Sequence, residues 1–344
     1  MTLSERTPVP TEPVQPVEDF DLRPFLDFIA AGLAGGANVV MQLSWPEVGH
    51  GVLESTWERG ALTQHPFKRA RTTFTYLAVS LLGTDEDHKA FRKEVNRQHA
   101  KVFSQPGEKV EYKALDPRLQ TWVAACLYYG TIDMITRMHG PLPDAEADAL
   151  YAHCARFGTT LQMPADAWPA DRAAFDDYWE QSLAEVDIDP DMAAYLMHLT
   201  RLKNFPAPLR LMAPFLVFVT TGFLPQQFRT ALGLTWSARK ERRFDRLMRT
   251  VGWVERRLPR TLAIFPFNLW LTDMRLRRRF GRPHLEGPHG KQPHRQGQAR
   301  HHPPSPAPGW RASAVAGSAR PRGVRADCAA RSGPSPRRGR RAGR

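Results

Sequence analysis

The stretch "HPFKRARTTFTYLAVSLLGTDEDHKAFRKEVNRQHAKVF", residues 65–103, predicts two consecutive helices. Its first part, residues 65–83, has a proline near its start and a glycine at its end, which are typical helix boundaries. The second helix is predicted over residues 84–107, with Thr84 or Asp85 as its N-cap and acidic residues in its first turn. The short turn between the two helices predicts that they are antiparallel neighbours.

The rest of the domain shows the same helical texture. Further helices are predicted over residues 116–140, 143–160, 170–184, 189–202, 208–221, 237–256 and 266–280. The small-residue-rich stretch that starts at Phe25 contains glycines, which predict either a close helix approach or a break near Ala34–Ala37. There is no convincing run of alternating residues that would indicate a strand, and no internal repeat. The predicted fold class is all-α, a single multi-helix globular domain.

Three segments follow from composition. Residues 1–20 are rich in Pro, Glu and Thr and are predicted to be disordered. Residues 21–282 form the helical domain. Residues 283–344 are dominated by Arg, Pro, Gly, Ala, Ser and His, and such a composition buries too little apolar surface to fold alone.

The basic tail explains the charge of the chain. Residues 281–344 hold 14 of the 48 Lys+Arg and 2 of the 35 Asp+Glu, which leaves 34 bases and 33 acids elsewhere. The tail has three interpretations: a basic arm for nucleic acid or anionic lipid, a passive disordered tail, or the frameshifted end of a GC-rich gene. The last two are favoured, because no aromatic interleaving or recognised motif indicates nucleic-acid binding.

The cellular compartment is predicted from the cysteine content, the N-terminus and the longest apolar run. Three sparse cysteines do not form a disulfide framework, which indicates a reducing environment. The N-terminus has no basic region followed by an apolar one, so no signal peptide is expected. The longest apolar run, residues 211–225, contains Pro214 and is too short to span a bilayer core of about 30 Å. A cytoplasmic protein without a transmembrane segment is predicted, and peripheral membrane contact is left open.

One imidazole falls where an apolar side chain is expected. Phe91, Val95, His99 and Val102 follow the i, i+4, i+8, i+11 spacing of a buried helical stripe. Counting back through the turn places Arg69 level with about residue 100 of the second helix. His99 is therefore expected to point inward, next to the start of the first helix.

The first helix carries a polar row on an otherwise apolar surface. This row consists of Arg69, Thr73, Tyr76 and Ser80, at i, i+4, i+7 and i+11. Because a helix that is apolar most of the way round is buried, the row is expected to face an internal cavity or a partner group.

Two interpretations of this convergence stay open on spacing alone. A core histidine often only bonds to a neighbouring group, and Arg69 would then pair with a carboxylate. Alternatively, a single neutral imidazole in an apolar helical pocket suits an axial haem ligand. The absence of H-E-x-x-H, E-x-x-H pairs or Cys/His clusters argues against zinc and di-iron sites.

Seven blocks resemble a known family. These are "QLSWPEVGHGV", "HPFKRARTT", "NRQHAKV", "YKALDPRLQTWVAACL", "WPADRAAFDDYW", "PLRLMAPFLVFVTTGFLP" and "LTWSARKERRFDRLMR". In order and spacing they resemble the mpaB-type oxygenases, whose catalytic domain is shared with rubber oxygenase (latex clearing protein), from about residue 25 to residue 282. The resemblance implies an all-helical domain with one haem b in a pocket between buried helices. It assigns His99 as the iron ligand, and Arg69 and Thr73 as an Arg-x-x-x-Thr pair that donates hydrogen bonds to haem, oxygen or substrate.

Arg210, in "PLRLM", has two equally weighted interpretations. One is a partner for a haem propionate, and the other is a surface or helix-capping arginine.

The chain also departs from the family pattern. Rubber oxygenases carry a lysine where this chain has Thr72, so a lysine-capped iron is not expected. Many relatives have histidines where this chain has Trp45 and Ala124, which leaves His99 as the outstanding ligand candidate. His50, His65 and His139 are expected at loops or helix ends. Since no signal peptide is expected either, rubber itself is a poor substrate prediction.

The resulting functional prediction is a haem-b-dependent oxygenase that uses O₂ and acts on a hydrophobic small molecule, such as an unsaturated isoprenoid or a lipid. Two alternatives stay open: a non-catalytic haem-binding or sensing protein, and a cofactor-free helical module that binds lipid or protein. The sequence does not indicate an oligomeric state.

Overall fold

The computed structural model describes residues 25–26, 28–53, 66–203 and 207–282. The two segments that were predicted to be disordered, residues 1–20 and 283–344, lie outside the described residues.

The described chain is built from helices. They are α1 (Phe28–Gln42), α2 (Pro46–Leu53), α3 (Pro66–Leu82), α4 (Asp85–His99), α5 (Pro117–His139), α6 (Asp144–Cys154), α7 (Arg156–Thr159), α8 (Arg172–Leu183), α9 (Pro190–Thr200), α10 (Ala207–Arg210), α11 (Ala213–Phe223), α12 (Gln226–Ala231), α13 (Ala238–Glu255), α14 (Arg260–Ala263) and α15 (Phe267–Arg279), with a 3-10 helix (Ala165–Ala167) before α8. Within these residues the only β-type pairing is an isolated antiparallel bridge between Phe103 and Lys113. The all-α prediction is confirmed.

Short polar side chains fix where the helices begin. Thr84 caps α4 in a capping box, in which its hydroxyl accepts from the Asp87 N–H and the Asp87 carboxylate accepts from the Thr84 N–H. Asp116 caps α5, whose first residue is the predicted Pro117, and Asp171 caps α8 by accepting from the Ala174 N–H. These caps satisfy donors that a helix start would otherwise leave unpaired.

The long helix α5 lies at the centre of the core and packs against α1 and α13. Its Trp122 is fully buried and stacks between Trp45 and Trp179, at ring-centroid distances of 4.7 and 5.3 Å. The Trp122 indole N–H donates to the Gln42 carbonyl at 3.2 Å. One aromatic column therefore joins the connection between α1 and α2 to α5 and α8.

The glycines of α1 allow close packing without breaking the helix. A Cβ on Gly36 would lie 2.5 Å from the Thr220 hydroxyl of α11, so these two helices touch where Gly36 has no side chain. The predicted close approach is thus confirmed. The alternative, a break near Ala34–Ala37, is not observed because α1 continues from Phe28 to Gln42.

A second, smaller cluster joins α3 and α4 to α15. Its buried members are Ala78, Val79, Phe91, Val95, Leu161, Phe267, Leu271 and Met274. Arg275 of α15 donates to the buried Asp87 carboxylate through Nε at 3.0 Å and Nη2 at 2.7 Å. Burial alone would raise the pKa of Asp87, but the hydrogen bonds and charge of Arg275 and the Thr84 contacts lower it overall. The apolar cluster and this ion pair therefore bind α15 to the α3–α4 hairpin.

Three predicted helices are shorter than expected or divided, and the one predicted over residues 143–160 is interrupted at Ala155, between α6 and α7. The helix predicted over residues 84–107 ends at His99, because the chain then turns into the bridge at Phe103. The helix predicted over 208–221 is divided at Leu211–Met212, because Pro214, in the first turn of α11, has no N–H to donate to the Arg210 carbonyl and its ring would clash with that carbonyl in a continuous helix. Among the helices that the structure describes, none combines the length and apolarity that a membrane span requires.

Candidate functional site

The hairpin that carries the predicted site is formed by α3 and α4. Tyr76 of α3 stacks on Phe91 of α4 with ring centroids 6.1 Å apart, which fixes the register of the two helices. Continuing this register along the antiparallel pair places His99, the last residue of α4, level with the first turn of α3. That turn contains Arg69. The predicted proximity along the helix axes is therefore supported.

His99 lies at the edge of the buried stripe. Phe91 and Val95 are buried, as predicted, while His99 and Val102 are half-buried. The Nδ1 atom of His99 is inaccessible to solvent. Val102 follows the end of α4, and its N–H donates to the His99 carbonyl at 2.9 Å. The imidazole is thus at a helix end, with one nitrogen inside the protein.

The polar row of α3 does not face one internal cavity, contrary to expectation. Ser80 is fully buried, and Tyr76 is half-buried and donates its hydroxyl to the Phe157 carbonyl. Thr73 is exposed. The row therefore runs from the core, where Tyr76 contacts Phe157 of α7, to the surface at Thr73. Thr73 points to a surface next to the hairpin rather than into a closed pocket.

The two arginine candidates occupy different elements. Arg69 precedes Thr73 by one turn on α3, and the structure describes its backbone but not its side chain. Arg210 is exposed and is the last residue of the short helix α10. Arg69, Thr73 and His99 therefore all belong to the α3–α4 pair, and Arg210 lies outside this pair.

Two buried histidines near the hairpin turn were missed by the sequence reasoning. The His88 Nδ1 lies 3.3 Å from the Thr160 hydroxyl, and the His153 Nε2 lies 3.1 Å from the Leu81 carbonyl. His88 precedes Phe91 by three residues, so extending the buried stripe backwards would have found it. Burial lowers the pKa of both imidazoles, and the positive charge of Arg156 lowers them further.

These depressed pKa values predict an acid-sensitive fold. The folded chain keeps both imidazoles neutral at a pH where the unfolded chain, with a histidine pKa of about 6.5, already takes up protons. Their contribution to the free energy of unfolding is complete above about pH 6.5 and is lost as the pH falls, by up to about 1.4 kcal/mol per pH unit for each imidazole. Urea unfolding across this range should therefore show a shallower pH slope for His88→Gln than for the unaltered protein.

The matched control for this measurement is His139→Gln. His139 ends α5, as expected, and is exposed beside Arg256, whose Nη1 lies 2.8 Å from its Nδ1. A shallower slope for His88→Gln than for this control would assign the acid sensitivity to the buried imidazole. An unchanged slope for His88→Gln would contradict the assignment of the acid sensitivity to His88.

The two positions at which the family resemblance implied further histidines, Trp45 and Ala124, lie in the core. Trp45 belongs to the aromatic column and donates its indole N–H to the Ser182 carbonyl at 3.0 Å. Ala124 is fully buried on α5. Within the residues that the structure describes, no group of three or more His, Cys, Asp or Glu side chains is arranged to hold a metal ion.

A small cleft lies at the start of α9. Its volume is about 50 Å³, and its walls include His50, Lys109 and Asp189. Asp189 accepts from the Met192 N–H at 2.8 Å, from Lys109 Nζ at 2.9 Å, and lies 3.1 Å from His50 Nε2. The Met192 N–H, followed by the Lys109 and His50 bonds, lowers the pKa of Asp189 to about 2. His50 is buried in the last turn of α2, and its carboxylate partner serves mainly as a helix cap.

Comparison with known proteins gives one family and two close relatives. Residues 22–253 match the family model described as "ER-bound oxygenase mpaB/B'/Rubber oxygenase, catalytic domain". An uncharacterized protein of Mycobacterium bovis and one of Mycobacterium tuberculosis are each 47% identical to the chain over 251 residues, which cover 73% of this chain and 98% of each relative. No solved structure is significantly similar to the chain. The match includes α3, α4 and α10, and with them every predicted site residue.

Proposed function

Because the chain belongs to the family of mpaB and rubber oxygenase catalytic domains, we propose that it is a haem-b-dependent oxygenase that uses O₂ to oxidise a hydrophobic small molecule. The family is one of oxygenase catalytic domains, which supports the reaction class. The haem and the substrate class are the parts that are proposed.

The position of His99 is the observation that carries the proposal. It lies at the end of α4, level with the turn of α3 that contains Arg69, and its Nδ1 is shielded from solvent. A metal-bound histidine commonly keeps one ring nitrogen directed into the protein, which fixes the ring for ligation through the other. A shielded Nδ1 therefore fits ligation of iron through Nε2.

The donor set of the hairpin also fits a haem. When bound, haem would supply the activation of O₂ that an oxygenase needs. His99 would hold the iron, and the guanidinium of Arg69 and the hydroxyl of Thr73 would donate hydrogen bonds to haem, oxygen or substrate. Arg210, on α10 and outside the hairpin, would be the partner of a propionate, because guanidinium groups bind carboxylates with two parallel hydrogen bonds. Because Thr73 is exposed, its hydroxyl is accessible to a haem, to oxygen or to a substrate.

The hydrophobic substrate class is supported by the surroundings of this row. Phe74 and Leu77, on α3 next to Thr73, are only half-buried, and Phe74 meets Phe267 edge-on at 6.2 Å. A ligand that approaches Thr73 along α3 would therefore meet apolar side chains, and their burial would favour an apolar molecule.

An absorption spectrum after haem loading tests the proposal. We expect the purified full chain to bind haem at about one equivalent, with a Soret band that is shifted from that of haem in solution. The reduced complex should then consume O₂ faster when an unsaturated isoprenoid or lipid is added. A protein that gives no haem-specific band would refute the haem. A haem complex whose O₂ uptake no such substrate accelerates would favour the sensing alternative.

A further inference from the structure

The last described helix, α15, has two apolar faces. Phe267, Leu271 and Met274, at i, i+4 and i+7, are buried against α3. Leu269, Leu276 and Phe280, at i, i+7 and i+11, lie on the opposite side and are exposed, Phe280 by 70%. We call these three residues the outer face of α15. A helix that is apolar on both sides normally has a second partner.

Exposed apolar side chains are concentrated in this part of the chain. Twelve large apolar side chains are exposed among the residues whose side chains the structure describes, and seven of them lie between Trp253 and Phe280. Large apolar patches on a protein surface mark sites of protein or membrane interaction. The outer face is therefore the strongest candidate for an interaction surface on this molecule.

The charge around the outer face is strongly positive. Residues 256–282 contain eight arginines and one acid, Asp273, and two acids of α4, Asp87 and Glu86, pair with Arg275 and Arg278. The Asp273 carboxylate is already paired with Arg71 and with Arg277, whose Nε lies 3.1 Å away. Arg277 and Arg279 flank the outer face on its two sides by helical spacing, and Arg279 and Arg282 are exposed. Although the net charge of the folded part is close to zero, the surface around the outer face of α15 is basic.

From this juxtaposition we propose that the outer face of α15 docks the protein on an anionic phospholipid surface. An apolar stripe with arginines on both sides is the arrangement of a helix that lies in the membrane interface, where side chains such as Leu and Phe enter the acyl boundary and arginines bind headgroup phosphates. A second copy fits less well, because a two-fold interface would oppose the same arginines to each other. The surface lies outside residues 22–253, the region matched by the family model, and does not depend on the haem.

The docking would place the candidate site next to the membrane. Helix α15 packs chiefly on α3, and Arg71 of α3 pairs with Asp273 of α15. Thr73 is thus on the helix that lies directly beneath the docking helix. A hydrophobic molecule dissolved in the bilayer would then be close to α3, and this last step alone rests on the proposed function.

Co-sedimentation of the full chain with vesicles tests the proposal. We expect binding to phosphatidylcholine vesicles that contain about 30% phosphatidylglycerol, and binding at least about tenfold weaker to pure phosphatidylcholine. The triple variant Leu269→Ser, Leu276→Ser, Phe280→Ser should lose at least about tenfold in the partition coefficient, since it removes three large apolar side chains. Because these side chains are exposed, the variant should keep the circular dichroism and melting temperature of the unaltered protein.

Two further variants make the test specific. Leu211→Ser with Met212→Ser removes exposed apolar side chains elsewhere and should leave vesicle binding unchanged. Arg279→Gln with Arg282→Gln keeps the outer face and should weaken binding to the anionic vesicles by about tenfold or more. The basic tail, residues 283–344, is retained in every variant. If the folded triple variant binds as well as the unaltered protein, the tail alone binds the vesicles and the proposal is overturned. Absence of binding by the unaltered protein would also overturn it.

Discussion

Substitution of His99 by alanine is expected to abolish the haem-specific Soret band and to reduce substrate-dependent O₂ uptake to background. An axial imidazole supplies the bond that holds the iron in a b-type site, where the macrocycle has no covalent attachment to the chain. Neither Arg69 nor Thr73 offers an equivalent ligand, since a guanidinium does not deprotonate in proteins and Thr73 carries only a hydroxyl. The spectrum of the haem-loaded variant, recorded beside that of the unaltered protein, measures the effect.

Two controls separate ligation from folding in the His99 experiment. His139→Ala removes an exposed histidine from the end of α5, and its spectrum should match that of the unaltered protein. Imidazole added to His99→Ala should restore part of the band by occupying the space that the side chain vacates. A variant that retains its full band without added imidazole would exclude His99 as the ligand.

Substitution of Trp122 by alanine is expected to cause the largest loss of stability. Trp122 is fully buried between Trp45 and Trp179 and bonds to the Gln42 carbonyl. Truncation leaves a cavity in the column and an acceptor without its donor, so the free energy of unfolding should fall by about 3–5 kcal/mol. Urea unfolding followed by far-ultraviolet circular dichroism measures the change without depending on the deleted fluorophore.

Trp253→Ala is the matched control for this substitution. Trp253 is 52% exposed near the end of α13, where the guanidinium of Arg257 lies 3.7 Å from its ring centroid. Loss of this exposed contact should cost no more than about 1 kcal/mol. Equal losses in the two variants would show that the aromatic column is not a principal source of stability.

Local signals were sufficient to predict the hairpin. Proline and glycine mark the ends of α3, and Thr84 marks the start of α4, because each of these residues acts on the backbone beside it. The stacking of Tyr76 on Phe91 agrees with the register that follows from helix geometry and a short turn. The division at Leu211–Met212 also had a local signal, since Pro214 lacks the N–H that a position inside a continuous helix must donate.

Burial on α3 could not be predicted from the same signals. Whether Thr73 faces the core depends on which helices cover α3, and these come from distant parts of the chain. Helix α15 contributes Phe267 from almost 200 positions later in the sequence, and α7 contributes Phe157. Similarly, the sequence near His88 does not reveal Thr160, which lies next to its ring. The periodicity of a sequence identifies the apolar face of a helix, but not the helix that packs against that face.

Helix α15 has a consequence for how the chain can be shortened. The family match ends at residue 253, yet Phe267, Leu271 and Met274 cover Ala78 and Val79 of α3. Truncation at the boundary of the match would expose this apolar surface and would leave the buried Asp87 carboxylate without Arg275. The region matched by the family model is therefore shorter than the part of the chain that packs together, and a fragment for crystallisation should extend to residue 282.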